Sequence, residues 1–237
     1  MFVTSFQRRW VVAVIGSGLA LSVAVSGCSS KGSKSSPSET TESAVAVDGS
    51  ACPASAATVH TFAAAPPMTI DAAKTYTAVM KTTRGTIEFL LDPKRAPIAV
   101  NNFVFLARQR YFDCIGFHRV VPGFVLQGGD PNSIDAGASG PVGTGGPGYE
   151  FVDELPNQGE YRFGSLAMAN SGPNTNGSQF FIISGPQGEQ LPPLYTLFGQ
   201  AAKGEEAITA IDALGLAGTD GPPSEPVTIV SVTITES

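Results

Sequence analysis

FHRVVPGFVLQGGDP (residues 117–131), GTGGPGYEF (143–151) and SLAMANSGPNTNGSQFFI (165–182) follow one another in the middle of the chain, and their reading decides the fold. Each is a short apolar run cut by glycine, proline or asparagine, the pattern of brief strands joined by tight turns. Such a pattern belongs to a closed or sandwiched β domain. Outward from this centre, Tyr76–Thr82 and Thr86–Leu91 are expected to be strands, with Arg84-Gly85 turning between them and Ile87, Phe89 and Leu91 alternating with Glu88 and Leu90.

Helices are few. Pro97 suits a first helical turn, and Val100, Phe103, Val104, Ala107 and Tyr111 then fall on one face. A second helix is expected near Glu205–Leu214, with Ala207, Ile208, Ile211 and Leu214 inward and Gly215 as its stop. Pro226–Thr235 (PVTIVSVTIT) is a β-rich closing strand. Many strands and few helices are what a small antiparallel barrel requires.

Composition removes several function classes. Of 237 residues, 42% are hydrophobic and 14% charged, which places the bulk of the chain among globular proteins. The formal charge is −6, and without the first 27 residues 12 basic side chains face 20 acidic ones. No basic footprint for nucleic acid exists in that balance. Two histidines and three scattered cysteines give no metal-ligand spacing, so no metal is expected.

The three central blocks closely resemble, in order, the signature of the cyclophilins, the cyclosporin-binding peptidyl-prolyl cis–trans isomerases; the likeness extends more weakly over about residues 75–235. The resemblance implies a mainly β fold: a closed eight-stranded antiparallel barrel with a helix over each end and a substrate groove on the outside of its wall. It implies an enzyme without cofactor that acts on proline-containing polypeptides. Arg119 matches the family's catalytic arginine, and Gln127 a glutamine that holds substrate backbone and orients it. Phe124, Phe181 and Leu191 align with the walls of the proline pocket, while Phe180, the strand neighbour of Phe181, is assigned to the core. Ala169 and Asn170 match an edge that hydrogen-bonds the residue before proline, as an added strand would. Three positions depart from the best-known eukaryotic pattern: Val125 stands for a pocket methionine, Gln190 for a tryptophan and Tyr195 for a histidine. Loss of the tryptophan argues against tight cyclosporin binding and leaves isomerisation intact.

The N-terminal quarter reads as an address. Met1–Arg9 is basic and Trp10–Val25 is an apolar run of 16 residues, shorter than the roughly 20 of a spanning helix and suited to a secretory signal. It ends in Val25-Ser26-Gly27-Cys28, which resembles the lipobox of bacterial lipoproteins, so residues 1–27 are expected to be a signal peptide cut before an acylated Cys28. Two or three acyl chains would anchor the protein to the outer face of a cytoplasmic membrane. Residues 28–50 then form a Ser/Thr-rich tether, since nine of the fifteen residues 29–43 are Ser or Thr and cannot bury enough apolar surface to order. Residues 51–74 are an extension expected to pack on the domain, 75–237. Cys52 and Cys114, the thiols left after acylation of Cys28, are candidates for a disulfide in an oxidising compartment.

Some signals are declined. GTGGPG (143–148) satisfies G-x-G-x-x-G, but a dinucleotide site needs a strand before it and a helix after it, and Pro147 with Tyr149-Glu150-Phe151 fits a loop. Asn176-Gly177-Ser178 spells a glycosylation sequon inside the family motif. His118 is expected to be a hydrogen-bonded structural residue, because isomerisation needs no proton transfer. With no coiled-coil periodicity and no internal repeat, the chain is expected to be a monomer.

Overall fold

In the computed structural model, which describes residues 60–134 and 141–237, the alternating runs become a hairpin. Strand β1 (Tyr76–Thr82) pairs antiparallel with β2 (Gly85–Leu91) from Tyr76↔Leu91 to Thr82↔Gly85. Gly85 makes the turn possible with φ +126°, a conformation L side chains rarely adopt. Ile87, Phe89 and Leu91 point into the core while Leu90 stays exposed, as period-2 alternation demands.

Helix α1 (Pro97–Arg108) buries Val100, Phe103, Val104 and Ala107, and Tyr111 continues that face into the following turn. After it come β3 (Arg119–Val121), β4 (Val125–Gly128), β5 (Ser165–Met168) and β6 (Phe180–Ile183), each three or four residues long. A single helical turn α2 (Pro186–Glu189), strand β7 (Leu197–Lys203), helix α3 (Glu205–Asp212) and strand β8 (Ile229–Glu236) complete the order. Ala207, Ile208 and Ile211 of α3 are buried, and Leu214 packs against the core from beyond its end. Between the strands, aromatic rings fill the interior: Phe103 stacks on Phe112 at 4.9 Å and meets Phe180 and Phe198 at 5.8 and 5.3 Å.

All eight strands form one antiparallel sheet in the order β3-β4-β6-β5-β7-β2-β1-β8. Two expectations are corrected here. Among the described residues the α-helices number three, because the turn at Pro186 is too short to show a periodicity in the sequence. The barrel is also open: β3 and β8 are the two edges of the ladder and do not pair. Just before β3 the seam is spanned by the isolated bridge Gly116↔Thr228 and by three backbone hydrogen bonds: Cys114 N–H to the Ile229 carbonyl at 2.8 Å, Ile229 N–H to the Ile115 carbonyl at 2.8 Å, and Phe117 N–H to the Val227 carbonyl at 2.9 Å. Chemistry explains the gap. The residues leading into β8 include Pro222, Pro223 and Pro226, which have no N–H to extend a ladder, and Val120 N–H turns instead to the Gly221 carbonyl at 2.8 Å.

Candidate active site

The β3–β4 hairpin sets Arg119 directly opposite Gln127. Its turn is held from both sides: Asp212, at the end of α3, accepts from Gly123 N–H at 2.9 Å, and Gln187 of α2 donates to the Gly123 carbonyl at 3.1 Å. Arg119 Nη1 donates to Gln127 Oε1 at 3.2 Å, and its guanidinium carbon lies 5.7 Å from the centre of the Phe124 ring. Gln127 Nε2 donates in turn to Gln179 Oε1 at 3.0 Å, and Gln179 Nε2 donates to the carbonyls of Gly143 and Gly145. The glycine loop is thereby tied to the catalytic-looking hairpin through two amides. No helix follows that loop; Phe151 pairs with Asn176 instead, so a nucleotide site has no frame here.

Beside the hairpin lies a second apolar cluster, separate from the main core, built from Val125, Ala167, Phe181, Ile183, Leu197 and Tyr161. Strand periodicity creates it: on β6, Phe180 enters the main core while Phe181 joins this outer cluster. Phe124, Ala169, Leu191 and Tyr195 are half-buried and pack against it. Phe181 and Tyr195 meet edge to face at 5.3 Å. Val125 is almost fully buried, so it forms floor rather than rim. Gln190, just before Leu191, is exposed.

Of the residues expected to form a site, Arg119, Gln127, Phe124, Val125, Ala169, Phe181, Leu191 and Tyr195 are thus gathered at one apolar cluster, with the Arg119 guanidinium beside it. Asn170 stands a little apart. Its side-chain amide donates to the Leu194 carbonyl at 3.0 Å and its Oδ1 accepts from Gly172 N–H, so the side chain closes a loop. Next to this row, a polar cavity of about 660 Å³ runs between the glycine loop and Ala169-Asn170-Ser171, with Gln127 and Gln179 in its wall.

Three participants escaped the sequence reading. Gln179, just ahead of β6 and 52 residues away, supports Gln127. Tyr161 belongs to the outer apolar cluster, its hydroxyl donating to the Tyr195 carbonyl at 2.7 Å and accepting from Tyr195 N–H at 3.1 Å; burial pushes that phenol up to about 12. Asp220 grips Arg119 through both carboxylate oxygens. Tyr161 and Asp220 are single residues in unpatterned segments, and Gln179, though inside the third block, has no spacing that announces its bond to Gln127.

His118 departs from expectation. Both ring nitrogens are buried without a hydrogen-bond partner among the described residues. Its surroundings are largely apolar, with Phe117, Val142, Pro222 and Pro223 among them, and neither the Ser133 nor the Thr228 hydroxyl bonds the ring. Burial therefore lowers its pKa, with Asp130 raising it less and Arg119 lowering it slightly. Cys114 is disulfide-bonded; its expected partner Cys52, the acylation candidate Cys28, and the signal and tether segments lie outside the described residues.

Known proteins resemble this chain over about two thirds of its length. The family described as cyclophilin type peptidyl-prolyl cis-trans isomerase/CLD matches residues 77–234. Over 176 residues the chain is 42% identical to a probable peptidyl-prolyl cis-trans isomerase B of Mycobacterium leprae, covering 67% of this chain but only 56% of that one. It is 41% identical to peptidyl-prolyl cis-trans isomerase B of Streptomyces anulatus, covering 66% of this chain and 95% of the relative. A crystal structure of a cyclophilin type isomerase from Cryptosporidium parvum superposes with TM-score 0.60 at 30% identity, covering 69% of this chain and 99% of that one. The same Cryptosporidium protein, solved in the presence of the dipeptide Ala-Pro, matches at TM-score 0.59.

Proposed function

This chain belongs to the cyclophilin-type peptidyl-prolyl cis–trans isomerase family, and we propose that it accelerates rotation about X–Pro bonds of exported polypeptides and so assists their folding. The observation that carries the reading is the meeting of Arg119 and Gln127 with the outward apolar cluster of Phe124 and Phe181.

The barrier to be lowered is roughly 18–20 kcal/mol, because amide resonance must be broken. No nucleophile and no proton transfer is needed; what helps is a surface that binds the twisted amide better than either planar one. The proline ring enters the depression of Phe124, Val125, Phe181 and Leu191. The residue before it runs along Ala169-Asn170, whose own polar backbone serves as a strand edge. Arg119 donates to the prolyl carbonyl, and the charge it presents favours a pyramidal nitrogen whose lone pair has left the amide system. Fixed donors of this kind cost no reorganisation during the step. The Ala-Pro dipeptide named with the Cryptosporidium relative is of the substrate class this mechanism requires.

Exchange NMR on a proline peptide with the full-length protein in mild detergent tests the assignment. Wild type should drive rapid cis–trans exchange, and Arg119→Ala should lose most of it. Line broadening without accelerated exchange would point instead to a proline-peptide-binding or holdase module, and equal rates in both proteins would overturn the role of Arg119. With Gln190 in place of the tryptophan, cyclosporin should inhibit only weakly.

The site of action follows from the leader. A basic start, a 16-residue apolar run and Cys28 after Val25-Ser26-Gly27 support an acylated, membrane-held protein acting outside the cytoplasm as a monomer on a flexible tether. Cys28→Ala should release it from membranes and abolish incorporation of labelled palmitate; retention in the membrane fraction would sink the anchor.

A further inference from the structure

We propose that Asp220 is a positioning residue for the isomerisation, aiming the guanidinium of Arg119 from the loop that joins α3 to β8. The inference rests on the reading of Arg119 as the donor to the prolyl carbonyl.

A guanidinium has five N–H groups in a rigid plane. In this protein Nε and Nη2 donate side by side to the two oxygens of Asp220, the latter at 3.1 Å, and Nη1 donates to Gln127 at 3.2 Å. One N–H on Nη1 and one on Nη2 remain. The ring of Phe124 lies 5.7 Å from the guanidinium carbon. Arg119 is therefore held at one edge by a carboxylate, at a second by an amide and against an aromatic ring, and it presents its last two donors outward. Without Asp220 only one hydrogen bond would fix the plane, and the long aliphatic stem would swing.

The loop presents Asp220 independently of the ion pair. Gly221 accepts from Val120 N–H at 2.8 Å, so the pair Asp220-Gly221 docks along Arg119-Val120. Upstream, Thr219 donates to the Leu216 carbonyl through both its amide and its hydroxyl, and downstream Ser224 N–H reaches the Leu214 carbonyl at 2.8 Å. Gly215 fits against the Pro122 ring, where a Cβ would sit 2.6 Å from it. Each anchor ties the loop to itself or to the β3–β4 hairpin that carries Arg119.

Stability is a poor reason for this contact. The Asp220 side chain is 67% exposed, and exposed ion pairs contribute little to folding. Bidentate geometry, in contrast, contributes directional precision, and a misplaced donor costs rate even when binding is kept. The Arg119 guanidinium holds the Asp220 carboxyl below its ordinary range, so the carboxylate is present at neutral pH.

The test is steady-state exchange kinetics on the full-length protein with Asp220→Ala, Asp220→Asn, Asp220→Glu, Arg119→Lys and the Arg119→Lys/Asp220→Ala double variant. Asp220→Ala should lower kcat about tenfold while KM stays within about twofold and Tm is unchanged. Asn, with one acceptor in place of two, should fall between; Glu should recover part of the loss. Because lysine has no fork to orient, Asp220→Ala should cost less than about twofold in the Arg119→Lys background. Wild-type or faster kcat in Asp220→Ala, a loss confined to KM, or the same fold-loss in both backgrounds would each overturn the proposal. An Arg119→Ala variant that stays fully active would overturn the underlying reading instead, whereas its collapse beside an unaffected Asp220→Ala would leave that reading standing and remove only the role of Asp220.

Discussion

His118 and Arg119 are consecutive residues with opposite fates: the imidazole nitrogens are buried without a partner among the described residues, while the guanidinium lies against the Phe124 ring and is held by Gln127 and Asp220. The family resemblance singled out Arg119, Gln127, Phe124 and Phe181 as candidates, and strand alternation separated Phe181 from Phe180, which the structure places in different apolar clusters. It could not show Asp220, which reaches Arg119 across 101 residues from a loop with no pattern. Nor could it show that His118 would lack a partner, since that depends on which residues line the open seam. The buried imidazole has a measurable consequence. Desolvation places its folded pKa below the ordinary 6.5, so as pH falls the unfolded chain takes up the proton first. Its contribution to stability is complete above about pH 6.5 and is lost as pH falls from there toward the lowered folded value. His60, also lowered by burial, adds a slope of the same sign. His118→Leu should therefore flatten, without abolishing, the fall in the urea midpoint between pH 7 and 5. An unchanged slope would show that His118 is not a source of it.

Elements were legible to the extent that their own periodicity fixed them. The apolar face of α1 and the inward residues of α3 stand where their spacing puts them. What the spacing could not supply is how α1 begins. Ala96 at its N-cap has no side chain to offer, and the orphan N–H groups of the first turn are met from 55 and 56 residues away, by the two carboxylate oxygens of Glu154 on the N–H groups of Ile98 (3.0 Å) and Ala99 (2.9 Å). Glu154 is itself fixed, its own N–H donating to Thr196 Oγ1 at 2.8 Å. A charge at this end also meets the positive pole of the helix. Glu154→Ala should destabilise the protein by roughly 1–2 kcal/mol, the scale of a lost cap, and Glu154→Gln by less. Thermal unfolding measures both; equal midpoints for Ala and wild type would mean that water replaces the carboxylate at no cost. Strand lengths carry the same lesson. β3 to β6 are too short to declare themselves by alternation alone, and the open edge between β3 and β8 is set by prolines whose missing N–H matters only once a neighbour is known.

For the whole molecule, the segment before β1 decides how the described residues hold together. From His60 to Lys74 the chain has no strand or helix, yet it lies along α1 and reaches the glycine loop. Phe62 N–H donates to the Pro147 carbonyl at 2.8 Å, and its ring meets Phe105 edge to face at 5.1 Å. Asn101, 3% exposed on α1, accepts from Thr69 and Ile70 N–H and donates to the Pro67 carbonyl. One buried amide thus satisfies three backbone groups of an otherwise irregular run, which is how a segment without periodicity becomes ordered and why no pattern announces it. The contact also runs toward the site, because the loop that Phe62 supports at Pro147 is the one Gln179 binds at Gly143 and Gly145. A chain beginning at Thr75 should consequently be less stable than one beginning at Ser50 by about 2 kcal/mol or more, from the uncovered Phe105 and Tyr111 surface and the stranded amide of Asn101. Its amides at 143–148 should exchange with solvent faster, while those of the β1–β2 hairpin, held by their own ladder, should change only in proportion to the global loss. Equal urea midpoints and equal exchange in the two chains would mean that the segment merely rests on the domain; a loosened loop with an intact hairpin would establish that residues ahead of the family core help to shape the groove wall.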